Sequence, residues 1–530
     1  MNKFKNIIYI LGLSIMIILP GCSDRDDEIT SIDYDRLFSP TELKAKIVNK
    51  TGVELNWNAN KIAEGYNVEV YDNESFEGTP VKSAQDISVA TYTFSGLEGD
   101  KIYWARVQAI SPNISDSKWS NVPFRTDINS ILLPTQIGDV AATEFIIRWP
   151  AGSSATKVVL TPASGTAVTY TLTADDISKG VAKVTGLKPA TAYTAILHSG
   201  NQRIGITSLT TLAEGTIVVN SEDNFVTTLD NAPDGSVLLL KPGEVYLIGS
   251  TTYLFGKNLK IMGYEGFEKP IICMSGAASS AVMMGFVGNS SFNYLRFENV
   301  KLTGYNNNNS ISDTKISYLF NNNTVTDLKE LSFKNCDITN WGNTPFRLQG
   351  NKSQKIETLT IDGCVINDVA FSSNYAVINV NSTDYINNIV LKNSTVYNFR
   401  AGLILRQNAT VNSVTIENCT INQGMLDTGS NRFLLDMNAS VISGQVTIKN
   451  NILGSTGEKA GGARPIDKIT SITGNYYTTD YIDAASSNKD KMTSYSGTST
   501  DLWNNPINGI FTFKDTSFSG IDKAGAPRWW

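Results

Sequence analysis

The amino-acid sequence predicts an all-β chain that ends in a parallel β-helix, and three observations predict it. One phrase is written six times: LRFENVKLTGY from Leu295, LSFKNCDITNW from Leu331, LTIDGCVINDV from Leu359, IVLKNSTVYNF from Ile389, VTIENCTINQG from Val414 and VTIKNNILGST from Val446. Anchored on the Asn or Gly at positions 299, 335, 363, 393, 418 and 450, it recurs with a loose period of roughly 30 residues. Such a period marks a solenoid, in which no single repeat can bury its apolar face alone. Second, apolar and polar residues alternate within each copy, as Leu331 and Phe333 do with Ser332 and Lys334. That is the two-residue period of a strand with one buried face. Third, the outward charged place reads Glu298, Lys334, Asp362, Lys392, Glu417, Lys449, changing sign at every step. Strands stacked in register lie about 4.8 Å apart, so this order favours that register, although each exposed pair contributes only ~0–1 kcal/mol. These charges read as a solvated ladder rather than a catalytic row.

From its start, the chain opens with a secretion signal over residues 1–21. Lys3 and Lys5 precede an apolar core from Ile7 to Ile18 that is short for a bilayer span. Leu19-Pro20-Gly21-Cys22 resembles the lipobox of bacterial lipoproteins, which implies a lipid on Cys22; an uncleaved hydrophobic anchor is the competing reading. Residues 22–39 form a polar tether. Within it, Ser23-Asp24-Arg25-Asp26-Asp27-Glu28 resembles the acidic signal that places lipoproteins on the exterior of the outer membrane in glycan-foraging bacteria. Several acyl chains anchor firmly where one is marginal.

Between residues 40 and 127, Leu55-Asn56-Trp57 turns a Trp inward on an early strand, and Tyr66-Asn67-Val68-Glu69-Val70 alternates as the next strand. Leu97, Tyr103, Ala105, Val107 and Ala109 fit a tyrosine-corner strand, so the segment resembles a fibronectin type III domain. Residues 128–213 are a weaker copy, with Ile147-Arg148-Trp149 and the run from Leu187 to Tyr193 in the matching places. Modules of this kind serve more often as spacers than as binding sites. The only histidine, His198, falls on a strand of this copy, so the domain that follows contains no imidazole for acid–base chemistry.

Residues 214–530 make the helix domain. A short helix is expected over 223–229 and a buried strand over 237–240, with fainter first and last rungs at 258–263 and 471–475. With the ending from Leu502-Trp503 to Trp529, these features resemble the capped, pectate-lyase-like β-helices of surface glycan-utilisation systems. The expected fold class is therefore all-β, with two fibronectin type III-like sandwiches followed by a right-handed parallel β-helix. Residues 304–316 and 454–468 read as long polar connections able to shape a groove. Asn in the turns is expected for its tolerance of left-handed backbone. Cys336, Cys364 and Cys419 share one slot with Val300, Ser394 and Asn451, which reads as core packing, although the spacing of adjacent rungs also permits a disulfide. With neither Cys-x-x-Cys nor a His partner, they do not read as a metal site.

A second strand recurs between the phrases, as PFRLQGN from Pro345, YAVINVN from Tyr375, GLILRQN from Gly402 and RFLLDMN from Arg432. Aligned on the closing Asn, the outward row holds Gln349, Asn379, Arg406 and Asp436, flanked by Arg347, Arg432 and Tyr375. Arginines can grip uronate carboxylates with a bidentate fork, and outward aromatics can stack on sugar rings. These seven residues are the candidate glycan-binding set; the competing reading pairs the arginines with Asp436 and neighbouring acids.

A net charge of −6 and a pI near 5.2 argue against nucleic acid, which favours a basic patch. Elimination from a uronate needs a cation, usually calcium held by several carboxylates, and a base. The outward row offers Arg406 as base and Asp436 as one ligand, but no second carboxylate on that face. Glycoside hydrolysis needs two facing carboxylates, and no Asp-Asp pair occurs in the helix domain. No catalytic residue is assigned, no cofactor is expected, and calcium enters only under a divergent lyase reading. The expected function is an outer-membrane, surface-exposed lipoprotein that binds or handles polysaccharide, with an acidic plant glycan such as pectin favoured. The expected partners are the polysaccharide, the membrane through Cys22, and an outer-membrane glycan-import complex. The alternatives are the calcium-dependent lyase and a non-catalytic adhesin or scaffold.

Overall fold

The computed structural model of the protein describes residues 35–307, 311–349, 354–371, 374–380, 384–406, 410–484 and 488–530. The expected secretion signal, Cys22 and the acidic run after it lie outside the described residues. The described residues form two compact units, one of residues 35–130 together with 201–205, the other within 131–200 and 206–530.

In the first unit a three-stranded sheet (Thr41–Val48, Gly52–Asn58, Thr91–Phe94) faces a four-stranded one (Lys82–Ile87, Gly65–Tyr71, Ile102–Ile110, Ser120–Arg125). Alternation along each strand sends Val53, Leu55 and Trp57, and opposite them Val68, Val70, Ala105 and Val107, into one core. Trp57 meets Tyr66 edge to face at 5.2 Å, and the Tyr103 hydroxyl accepts the Glu98 amide at 3.0 Å, which forms the tyrosine corner. The second unit begins with a similar arrangement. Lys157–Pro162 lies between Val168–Thr171 and Ala192–Ser199, Glu144–Arg148 pairs with Val181–Thr185, and the Tyr193 hydroxyl accepts the Lys188 amide at 2.9 Å.

The rest of the second unit is a parallel β-helix with three sheets of ten, ten and eight strands. The six phrases stack in the first sheet, and the pairs Glu298–Lys334, Lys334–Asp362, Asp362–Lys392, Lys392–Glu417 and Glu417–Lys449 lie directly opposite one another. Lys392 bridges to Asp362 at 3.3 Å and Lys449 to Glu417 at 3.4 Å. Each phrase holds two strands rather than one. Leu331 to Lys334 ends a first-sheet strand, Asn335 turns the corner, and Asp337–Trp341 enters the second sheet. The corner residues Asn299, Asn335, Gly363, Asn393, Asn418 and Asn450 all have φ between 51° and 65°, the left-handed region that Asn and Gly tolerate.

Just inside that corner runs the column Cys336, Cys364, Ser394, Cys419, Asn451, Asn475, every member buried. The Cys336 amide donates to Cys364 Sγ at 3.3 Å, the Cys364 amide to Ser394 Oγ at 3.0 Å, and the Cys419 amide to Asn451 Oδ1 at 2.8 Å. The slot therefore selects side chains that are small and can also accept the amide of the coil below. The described cysteines are free thiols, and burial pushes that of Cys419 up to about 12.

The helix Phe225–Asn231, capped by Asn224, seals the N-terminal end with Phe225 and Leu229. At the other end the chain folds back over the second sheet. Trp503, Phe511 and Phe518 form a small core with Ile452. The tail then climbs the coils in reverse: the Gly525 amide donates to Asn450 O at 2.9 Å, the Ala526 amide to Thr420 Oγ1 at 3.0 Å, and Trp529 Nε1 to Thr395 Oγ1 at 2.8 Å. Residues 454–468, expected as a connection, contain the last strand of the third sheet, Ala460–Arg464. Its Gly-Gly-Ala interior lacks the branched residues that make a strand legible.

Candidate functional site

The third sheet carries the candidate residues, and its register differs from the one expected. Arg347 pairs with Asn379, Asn379 with Leu405, Leu405 with Asp436, and Asp436 with Arg464. Leu348, Val380 and Arg406 share the neighbouring row. In the sequence, Leu348, Val380 and Arg406, which share that row, stand three, one and two residues before the closing Asn. Turn lengths after each strand differ, and burial of the apolar face, rather than the turn, sets the register.

A slip of one residue moves a side chain to the other face, and Arg406 is the consequence. It is fully buried, donating Nη1 to Asp384 O at 2.9 Å and Nη2 to Thr410 O at 3.1 Å. Burial lowers its pKa to about 10, so it stays charged at neutral pH while clasping two turn carbonyls. It is a structural group, placed neither to grip a ligand nor to act as a base. Gln349 also leaves the row: it lies past the strand Phe346–Leu348, where its carbonyl accepts from Gln354.

Arg347, Tyr375, Arg432 and Asp436 lie toward the outward face, while Asn379 shares the row of Arg347 but is as enclosed as Arg406. Arg347 lies 3.8 Å from the Tyr375 ring centre and 5.8 Å from that of Tyr318, whose hydroxyl it reaches at 3.4 Å. Among the described residues it makes no ion pair. On three successive strands, Asn321 Oδ1, Arg347 Nε and Asn379 Nδ2 are buried without a hydrogen-bond partner, and Asn321 pairs with Arg347 as Arg347 does with Asn379. Asn379 is fully buried, with only its Oδ1 engaged, by the Ala376 amide at 3.3 Å.

Three further arginines are committed to acids, and of these only Arg432 belongs to the nominated set. Arg432 Nε donates to Asp427 Oδ2 at 2.7 Å and its Nη2 to Asn374 Oδ1 at 2.6 Å. Arg464, which sequence reasoning missed inside an apparent loop, holds Asp436 through two bonds of 3.0 and 2.7 Å and lies 3.6 Å from the Phe433 ring centre. Arg400, also missed, adds a 3.3 Å bridge to Asp427. Burial alone would raise the Asp427 carboxyl; the Gly429 amide, Arg432 and Arg400 hold it below its ordinary value instead. Three arginines thus share two aspartates, and with Arg347, which pairs with no acid among the described residues, these six side chains sum to +2 on a chain of net −6.

Arg347 and Arg464 lie on third-sheet strands four in-register steps apart, about 19 Å at ~4.8 Å per step. Between them Asn374, Ala376 and Gly402 line a small depression, and a Cβ on Gly402 would meet Phe433 O at 2.7 Å. The result is an elongated, arginine-rich strip with aromatic rings at both ends. For calcium-assisted elimination the placement is poor, because Asp436 is held by Arg464 and Arg406 is interior. Among the described residues no group of three or more His, Cys, Asp or Glu side chains is placed to hold a metal ion.

A fibronectin type III domain matches residues 38–124, and two domains of unknown function, DUF4957 and DUF5123, match residues 245–398 and 414–529. The chain is an all-β protein with an N-terminal fibronectin type III region and a C-terminal β-solenoid of about eight turns. Among solved structures, it is similar to a two-domain fibronectin type III segment of chicken tenascin at 18% identity, over 32% of this chain and 99% of that one, with a TM-score of 0.25. It is also similar to the FN5 domain of Drosophila Lar at 22% identity, over 17% and 97% of the two chains, with a TM-score of 0.15. No curated protein matches the chain.

Proposed function

We propose that this protein is a surface-exposed outer-membrane lipoprotein that binds acidic polysaccharide in glycan utilisation, with uronans such as pectin favoured. One observation carries the reading: on three consecutive strands Asn321, Arg347 and Asn379 leave a polar atom unpaired beside Tyr318 and Tyr375. A buried polar group without a partner costs about 1–3 kcal/mol, so such atoms hold water or a ligand. A polyhydroxylated chain offers donors and acceptors in the same alternation and can replace that water. Arginine in excess of acid favours a carboxylated chain over a neutral one. Lipid on Cys22 supplies the membrane contact, and the tether to Ser39 holds the modules away from it. No helix among the described residues is long and apolar enough to cross a membrane.

Affinity electrophoresis of the mature chain across a panel of polysaccharides tests this. The expected result is retardation by uronans, weakened by Arg347→Ala at unchanged melting temperature. Free migration in every gel, with capture of an outer-membrane protein instead, would establish the scaffold reading in its place.

A further inference from the structure

We infer a second uronate subsite beside that strip, built by Phe371 and Arg400 in the turns that lead from the second sheet into the third. This inference rests on the polysaccharide reading and adds residues to it. Phe371 follows Ala370, whose buried, left-handed backbone anchors the turn through its amide to Asn343 O at 2.7 Å. The Phe371 side chain emerges 36% exposed. A single exposed Phe is ordinary; its surroundings are not.

Arg400 comes from the corresponding turn of the next coil and donates Nη1 to the Phe371 carbonyl at 3.1 Å. Its Nη2 reaches Asp427, one coil further on, at 3.3 Å. A carboxylate would neutralise one arginine, but Asp427 is also held by Arg432. Two guanidinium groups on one carboxylate leave a positive charge at the backbone carbonyl of the residue that carries the exposed ring. The Arg400 side chain remains 41% exposed, whereas Asp427 is only 4% exposed. An approaching ligand therefore meets the cation and the ring, not the acid.

This pairing selects for chemistry. An aromatic ring stacks on the apolar face of a pyranose, and an arginine beside it can fork a carboxylate carried on the same ring. A hexuronate presents both features; a neutral hexose presents only the first. The turn is also tied to the strip, because Arg432 binds Asn374 and Arg347 stacks on Tyr375.

The test is calorimetric titration of the full mature chain with oligogalacturonate and with its methyl ester, in which the carboxylates are capped. Phe371→Ala and Arg400→Gln are each expected to weaken oligogalacturonate binding by roughly ten-fold, while Phe371→Tyr binds as the parent does. The methyl ester is expected to bind weakly and to lose little more in Arg400→Gln. Thermal melts of the variants report that the fold is intact. Parent-like affinity in Phe371→Ala or in Arg400→Gln overturns the subsite and leaves the wider reading standing, whereas equal binding of acid and ester by the parent overturns both. Failure of the parent to bind oligogalacturonate or any other uronan overturns both.

Discussion

Replacing Arg406 with alanine separates a structural arginine from a binding one. Its two N–H groups close the carbonyls of Asp384 and Thr410, which sit in different coils. Hydrogen bonds to a charged donor contribute about 1.5–3 kcal/mol each, so their joint loss costs about 3–6 kcal/mol. Relief from burying a charge returns part of this, because desolvating an ion costs several kcal/mol. We expect a net loss of roughly 3 kcal/mol, felt locally, since a solenoid's stability is a sum over neighbouring coils. That corresponds to opening about 100 times more often. Hydrogen exchange followed by mass spectrometry reads it directly as faster exchange in peptides covering 384–411, with the sandwich modules unchanged. Arg406→Met, which keeps volume but no donor, should move in the same direction by less. Unchanged protection at 384–411, together with lost uronan binding, would refute the interior placement and restore Arg406 to the site.

Three further outcomes follow from the same geometry. Asp427 has a carboxyl held below its ordinary range, so its contribution is present above about pH 4 and is lost as pH falls through the lowered value. Exchange at 427–432 should accelerate over that descent in the parent and lose this pH dependence in Asp427→Asn; identical profiles would contradict the two-arginine clasp. Trp503 is fully buried and meets Phe511 edge to face at 5.1 Å, so Trp503→Ala should cost about 3–5 kcal/mol and expose residues 495–530 to limited proteolysis, leaving the first sandwich intact. Lys392→Glu places a third acid between Asp362 and Glu417; the melting temperature should fall slightly at low salt, by less than about 1 kcal/mol per pair, and recover at 1 M salt.

How legible the site was differs from residue to residue. Arg347, Tyr375, Arg432 and Asp436 could be nominated because they recur on strands of one type and carry suitable chemistry. Arg464 was hidden in a strand of glycine and alanine that gives no alternation signal. Phe371 and Arg400 lie in turns, where no period operates at all. Arg406 was misplaced because the closing Asn seemed to mark register, yet the turns are of unequal length. Which arginine finds an acid is likewise unreadable in sequence: Asp427 lies five residues from Arg432 and 27 from Arg400.

The sequence by itself determined the class of architecture. Alternation at period two, repetition near 30 residues and sign-changing charges each follow from backbone geometry that acts locally or between identical neighbours. Left-handed asparagines likewise announce their corners through a one-residue preference. Only the tertiary structure decided that each phrase bends across two sheets, that the tail recrosses the coils, and which side of the third sheet each arginine faces. Those outcomes depend on how three faces of unequal turn length close around one core, and a shift of one residue reverses what is buried and what meets solvent.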